Sequence, residues 1–155
     1  MLVAVFVVQL VVLVGITALH GARMSSGTKV TLAVTPVDPI DLARGSYVDL
    51  AYDIDVVVPP GLTDGDDVYV ELRRPAVDGE AWEPVRAVAD SSELDEPDAF
   101  IQLSVDGSGL DTGSISTYYA DSDEALRLQD DLADGGLAEI VLDADGAPTL
   151  DTVRG

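Results

Sequence analysis

The feature that most constrains this chain is an apolar run at its start. Residues 2–19 contain no charged side chain, and only Gln9 and Thr17 among them are polar. A helix of this length rises about 27 Å, close to the hydrocarbon thickness of a bilayer. The run therefore predicts a transmembrane anchor over residues 1–20. A polar linker over residues 21–28 and a single domain over residues 29–155 are expected to follow, since the remaining length suits one core.

A cleaved signal peptide is the alternative to an anchor. Such a peptide begins with a basic segment, has a shorter apolar stretch and ends at a cleavage site with small residues. Here the apolar run follows Met1 directly, and Ala18-Leu19-His20 is a poor cleavage site. We therefore expect an uncleaved, single-pass membrane protein.

The side of the membrane is less constrained than the anchor itself. Arg23 and Lys29 follow the run, and the positive-inside rule applied to them alone would place the domain in the cytoplasm. The run nevertheless lies at the extreme N-terminus, as a signal anchor does. From that position we expect an extracytoplasmic domain.

The charge of the chain restricts its partners and its solvent. There are 29 acidic and 8 basic residues, a formal net charge of -21. This charge repels phosphate backbones, so we expect no nucleic-acid partner. It also destabilises a compact fold unless salt screens it, and at molar salt the Debye length is about 3 Å. A high-salt, halophilic source is therefore predicted, with an ordinary soluble acidic surface as the alternative.

The chain lacks most side chains used in common catalytic and metal sites. It has no cysteine, one histidine (His20) and one lysine (Lys29). A Ser–Lys mechanism needs a buried lysine beside its nucleophile, whereas Lys29 is predicted near the membrane. Asp143-Ala144-Asp145-Gly146 resembles part of an EF-hand, but its first and twelfth positions would be Val141 and Thr152, so we expect a hairpin turn. We predict no enzyme, no catalytic residue, no metal and no cofactor.

Beyond the linker, short alternating segments predict a mainly β fold. Val30, Leu32 and Val34 share one face of a first strand, which Pro36 and Pro39 are expected to end. Further strands are predicted at residues 47–54, 68–72, 82–89, 100–105, 114–119, 137–142 and 149–153. One short helix is expected within residues 121–134. The predicted fold is an antiparallel sandwich or small barrel with one short helix, plus the N-terminal transmembrane helix.

One segment carries a family resemblance. The run Pro36-Val37-Asp38-Pro39-Ile40-Asp41-Leu42-Ala43-Arg44-Gly45-Ser46-Tyr47, continued to Tyr52, resembles the GDYXXXXY family of membrane-anchored proteins. The family is named for Gly-Asp-Tyr followed five residues later by Tyr. Ser46 stands where the family has Asp, and Ile40 where its lead-in has Arg. The apolar N-terminus and residues 113–119 also resemble the family. Because its role is unassigned, the resemblance implies an architecture and no mechanism.

The motif residues have a structural interpretation and a functional one. Tyr47 and Tyr52 are five apart, so a strand would point them to opposite faces. One is expected in the core with a partner for its hydroxyl, and the other on the surface or in a groove. Pro39 and Asp41 suit a turn. The candidate interaction residues are Asp38, Pro39, Asp41, Arg44, Gly45, Ser46, Tyr47 and Tyr52.

The remaining motif residues fit a braced turn. Gly45 permits a positive φ before the strand, and Arg44 is placed to pair with Asp38 or Asp41. Two functions remain open. The first is a membrane-tethered, non-catalytic interaction module that docks on an integral-membrane protein partner. The alternative is a carboxylate-dependent hydrolase or a cation-binding domain.

Overall fold

Two antiparallel sheets form the domain in a computed structural model of the chain. It describes residues 9–12, 27–38, 47–107, 109–120 and 122–155. The strands are β1 (Thr28–Asp38), β2 (Tyr47–Tyr52), β3 (Asp67–Arg73), β4 (Glu83–Val88), β5 (Ala99–Asp106), β6 (Gly109–Asp111), β7 (Thr117–Tyr119), β8 (Gly136–Leu142) and β9 (Pro148–Arg154). Helix α1 (Ser122–Asp131) lies between β7 and β8, and Ser91–Glu93 form a 3-10 turn. The prediction of a mainly β, antiparallel fold with one short helix is confirmed for these residues.

The five-stranded sheet has the order β7-β2-β1-β8-β9, and the four-stranded sheet has the order β4-β3-β5-β6. All pairings between neighbouring strands are antiparallel. The centre of the four-stranded sheet is the pair β3–β5, in which Val68 lies opposite Leu103 and Val70 opposite Ile101. Both strands alternate between buried and less buried residues, the pattern of a sheet with one covered face.

The core lies between the inner faces of the two sheets and extends under the helix. Val30 and Leu32 of the five-stranded sheet pack with Val70 and Ile101 of the other sheet. Val34, two residues beyond Leu32 on the same face of β1, instead belongs to a cluster with the helix. One inner face therefore has two covers, a second sheet at one end and α1 at the other. Complete burial of one such aliphatic side chain contributes roughly 1.5–3 kcal/mol.

The prediction that Pro36 ends the first strand is wrong. Strand β1 continues to Asp38, and Pro36 lies opposite Leu50 with a register shift before Asp38. Pairing of β1 with β8 stops at Val34, so from there β1 has a neighbour on one side only. Proline is tolerated at such an edge and at bulges, where its missing N–H removes no ladder bond.

The predicted strand at residues 114–119 is also partly wrong. Only Thr117–Tyr119 form a strand, whereas residues 113–115 turn and bring Ile115 into complete burial. The three-residue strand Gly109–Asp111 was not predicted. It pairs with the end of β5 through a tight hairpin in which Gly107 has a φ of 60°. Three residues are too few to show an alternating pattern.

Most of the predicted anchor lies outside the described residues, and so does the linker before Gly27. Residues 9–12 are helical. In the part of the chain that the structure describes, no helix has both the length and the apolar character needed to span a bilayer.

Candidate functional site

Strand β2 carries the second half of the motif and divides it between two faces. Val48 and Leu50 point inward and are 2% and 3% exposed. They pack with Val34 and Leu132, which brings β2 against β1 and the end of the helical segment. Tyr47 and the other odd-numbered residues of β2 point outward, as strand alternation requires.

Tyr52 is fixed in the core at the junction of its two parts. Its ring packs against the cluster between the sheets and also against the cluster under α1. Its hydroxyl donates a 2.7 Å hydrogen bond to the carbonyl oxygen of Ile115. Burial raises the pKa of the Tyr52 phenol above its ordinary value, because a phenolate there would lose its hydration. The expected core tyrosine with a hydroxyl partner is thus Tyr52.

Tyr47 lies on the opposite, outward side of β2. It is half-buried and lies directly opposite Tyr119 of β7. Tyr119 is 79% exposed, and Val37 on the neighbouring β1 is 63% exposed. Exposed large apolar side chains indicate an interaction surface only when they are grouped. Here Tyr119, Tyr47 and Val37 lie on three adjacent strands.

We call this outward surface of β7, β2 and β1 the tyrosine face. It consists of Ala33, Thr35, Val37, Tyr47, Asp49, Ala51, Thr117 and Tyr119. Asp49 is the charged residue among these eight, and its carboxylate accepts a 3.0 Å hydrogen bond from the Thr117 hydroxyl. The backbone of Asp38, which follows Val37, lies opposite Asp49, so a second acidic residue borders the face. Acidic residues make up 29 of the 155 residues of the chain, so eight positions would carry one or two of them on average. This face is therefore distinguished by its tyrosines and not by a lack of charge.

The other half of the same outer surface is charged. The ammonium group of Lys29 on β1 pairs with Glu139 on β8 and with Asp151 on β9, the latter at 3.0 Å. Hydrogen bonds to Glu139 and Asp151 raise the pKa of Lys29. A lysine that acts as a general base needs its pKa lowered instead. The five-stranded sheet thus has one half with ion pairs between strands and another half with outward-facing tyrosines.

Several acidic loop residues accept hydrogen bonds from the backbone of turns. The Asp66 carboxylate accepts hydrogen bonds from the Thr63 amide and hydroxyl, at 2.7 and 2.9 Å, which lower its pKa. Asp64 accepts from the Gly107 amide at 2.9 Å. Asp143 accepts from the amides of Asp145 and Ala147, so the segment that resembles an EF-hand fragment is the β8–β9 turn. No group of three acidic or histidine residues suited to a metal ion occurs within the described ranges.

The structure brings two of the candidate residues, Tyr47 and Tyr52, onto one strand. The backbone of Asp38 ends β1 opposite Asp49. The remaining candidates lie outside the described residues, and the roles predicted for them stay predictions; they are Pro39, Asp41, Arg44, Gly45 and Ser46. Sequence reasoning missed Tyr119, because only strand pairing places it beside Tyr47.

Comparison with known proteins gives one match. A family model described as GDYXXLXY protein matches residues 9–153. No curated protein and no solved structure matches the chain. The pattern in the family's description has a leucine at its sixth position, which falls on Leu50. Gly45, Tyr47, Leu50 and Tyr52 fit the pattern, while Ser46 replaces its aspartate. Of the residues that fit the pattern, Leu50 and Tyr52 thus point inward and Tyr47 points outward.

Proposed function

This chain belongs to the GDYXXLXY family, and from that premise we propose that it is a non-catalytic interaction module, held at a membrane by residues 1–20, whose tyrosine face docks on an integral-membrane protein. The observation that carries the proposal is the tyrosine face itself. Tyr119 is exposed and lies directly opposite Tyr47, and exposed Val37 lies on the next strand, β1. Interface centres are enriched in tyrosine, so the two tyrosines side by side on this outward face are a feature typical of an interface.

The tether supports a partner in or beside the same membrane. The apolar run at residues 2–19 has the length and composition of a single membrane span. Strand β1 begins at Thr28, the last residue of the proposed linker, and Val37 is nine residues further along it. A strand rises about 3.3 Å per residue, so Val37 lies roughly 30 Å from the start of the strand. The face is thus within reach of extramembrane loops of a neighbouring membrane protein, and we infer that it lies on the extracytoplasmic side.

The excess of acid supports a salt-rich working environment. A net charge of -21 on this chain makes self-repulsion a cost of folding that salt reduces. We expect the melting temperature of the chain to rise between low and molar potassium chloride. A melting temperature that is the same at both concentrations would contradict a halophilic origin.

The alternative of a cation-dependent or carboxylate-dependent enzyme has less support. The carboxylates of Asp66 and Asp143 accept backbone hydrogen bonds in their own loops, and that of Asp64 accepts one from Gly107 in the β5–β6 turn. Such bonds account for these residues as parts of turns. No observation on the described residues favours a catalytic arrangement over this structural use.

The proposed function is tested by crosslinking and affinity capture from native membranes at the salt concentration of the host. The full chain is compared with Tyr47→Ser, Tyr119→Ser and a matched control, Val77→Ser. Val77 is 58% exposed but lies in the β3–β4 loop, away from the tyrosine face. One integral-membrane protein that co-purifies with the chain and with Val77→Ser, and is lost from both tyrosine variants, would support the proposal.

Two results of the capture would count against docking through this face. One is a partner that both tyrosine variants retain as well as the unchanged chain does. The other is the absence of any specific partner while the chain is folded at that salt concentration.

A further inference from the structure

A groove borders the tyrosine face where β2, β1 and the α1–β8 turn meet. Its volume is about 690 Å³. Ala33, Thr35 and Ala51 belong both to this groove and to the tyrosine face, so the two surfaces are continuous. The α1–β8 turn contributes Asp134, Gly135 and Gly136 to the other side. The turn has little bulk there, because neither glycine has a side chain.

The groove combines an apolar lining with two free carboxylates. Its apolar side chains include Ala33, Ala51 and Leu137, and its acidic ones are Asp53 and Asp134. Both aspartates are exposed. Among the described residues, neither carboxylate takes part in a hydrogen bond or an ion pair. In this they differ from Asp49 on the neighbouring face, whose carboxylate is held by Thr117.

Arg154, on the strand next to the groove, does not neutralise these carboxylates. Arg154 on β9 lies opposite Leu137 and is exposed. In the described part of the chain its guanidinium forms no ion pair with Asp53 or Asp134. The residues that line the groove thus carry acidic and no basic side chains.

We propose that this groove receives an arginine side chain from a basic segment of the protein partner. The proposal rests on the proposed function, because it assigns the groove to the edge of the same docking surface. An arginine has an apolar stem that packs on small aliphatic side chains and a charged planar head that prefers carboxylates. The alanines match the stem, and Asp53 and Asp134 match the head. The acidic groove beside the outward-facing tyrosines gives the arrangement of an interface with a polar rim.

The test uses the full chain in an uncharged detergent and a defined probe. The probe is a short peptide of alternating arginine and leucine that carries an uncharged dye, with fluorescence anisotropy as the readout. The double variant Asp53→Asn with Asp134→Asn is compared with Asp78→Asn with Asp95→Asn. The second pair removes the same charge from two exposed aspartates that do not line the groove. A peptide with citrulline in place of arginine keeps the shape and removes the charge.

We expect the groove pair to weaken arginine-peptide binding by about fivefold more than the control pair, the size expected for two partly exposed ion pairs. The citrulline peptide should not distinguish the two double variants. Equal weakening by both pairs would mean that the peptide follows net charge alone, and the groove proposal would then be wrong.

The capture experiment separates this inference from the proposed function. If the partner is lost with Tyr47→Ser and also weakened by the groove pair, both are supported. If the tyrosine variants lose the partner but the groove pair retains it fully, docking stands and the arginine site is overturned. If the peptide distinguishes the groove pair but no partner depends on the tyrosines, the arginine preference stands and docking through the tyrosine face fails.

Discussion

The two faces of β2 belong to one six-residue strand and differ in what their side chains contact. The inward face holds Val48, Leu50 and Tyr52 among aliphatic side chains of β1 and the helical segment. The outward face holds Tyr47, Asp49 and Ala51, which are half-buried or exposed. Position in the motif therefore does not tell what a residue does. Leu50 and Tyr52 stabilise the fold. Tyr47 lies on the outer surface, where we propose that it contacts a partner.

The largest expected effect is on the inward face. Leu50→Ala removes a side chain that is 3% exposed between β1 and the helix. We expect the free energy of unfolding to fall by about 3 kcal/mol, from lost burial and the cavity that remains. Urea unfolding at fixed salt measures it, with Tyr47→Ala on the outward face as control. A Leu50→Ala loss no larger than that of Tyr47→Ala would remove the distinction between the faces.

A second effect concerns Gly136, where the chain from the helical segment enters β8. A Cβ there would overlap the Leu132 side chain and lie 2.6 Å from the Arg154 carbonyl oxygen. We expect Gly136→Ala to lower the free energy of unfolding by about 2 kcal/mol through overpacking. Gly109→Ala is the matched control, because its Cβ would meet only the Asp106 carbonyl oxygen at 3.7 Å. Similar unfolding curves for the two variants would contradict close packing at this junction.

The sequence predicted this division of faces better than it predicted the partners of each residue. Alternation alone placed Val30, Leu32 and Val34 on one side of β1, and spacing alone placed Tyr47 and Tyr52 on opposite sides of β2. It could not show that the inner face has two covers, because that depends on long-range pairing. Nor could the sequence show that Tyr119 lies beside Tyr47, since the two residues are 72 positions apart in the chain and become neighbours only when β2 pairs with β7.

Errors in the predicted fold arose where tertiary context overrides a local rule. Pro36 would end a strand in the middle of a sheet, but β1 has lost its second neighbour by that point. The groove was not predicted for a similar reason. Asp53 and Asp134 belong to separate segments that meet only after β1 has paired with both β2 and β8.

A third, smaller effect concerns the Tyr52 hydroxyl. Tyr52→Phe removes the hydrogen bond to Ile115, and we expect a loss of about 1 kcal/mol at neutral pH. Because the pKa of Tyr52 is raised in the folded state, the folded chain keeps a proton that the unfolded chain loses above about pH 10. Stability should therefore be complete below that pH and fall as pH rises beyond it.

Tyr52→Phe should remove this contribution, so its stability should decline less than that of the unchanged chain between neutral and strongly alkaline pH. Val48→Ala, which loses burial on the same face and retains the Tyr52 hydroxyl, is the control. Its stability should fall with rising pH as much as that of the unchanged chain. Equal alkaline slopes for Tyr52→Phe and Val48→Ala would show that the Tyr52 phenol is not held neutral by burial.

The smallest expected change in the free energy of unfolding is for substitutions on the tyrosine face. The distinction between the two faces of β2 requires that this change be small. Tyr119 is 79% exposed and no described hydrogen bond involves its hydroxyl, so Tyr119→Ser should change the free energy of unfolding by no more than about 0.5 kcal/mol. Tyr47→Ser, at a half-buried position, should cost less than Tyr52→Phe. Thermal unfolding of both variants at the salt used for partner capture checks this. If either variant lost as much stability as Leu50→Ala, Tyr47 and Tyr119 would be structural residues, and loss of a partner from such a variant would report unfolding instead of a docking surface.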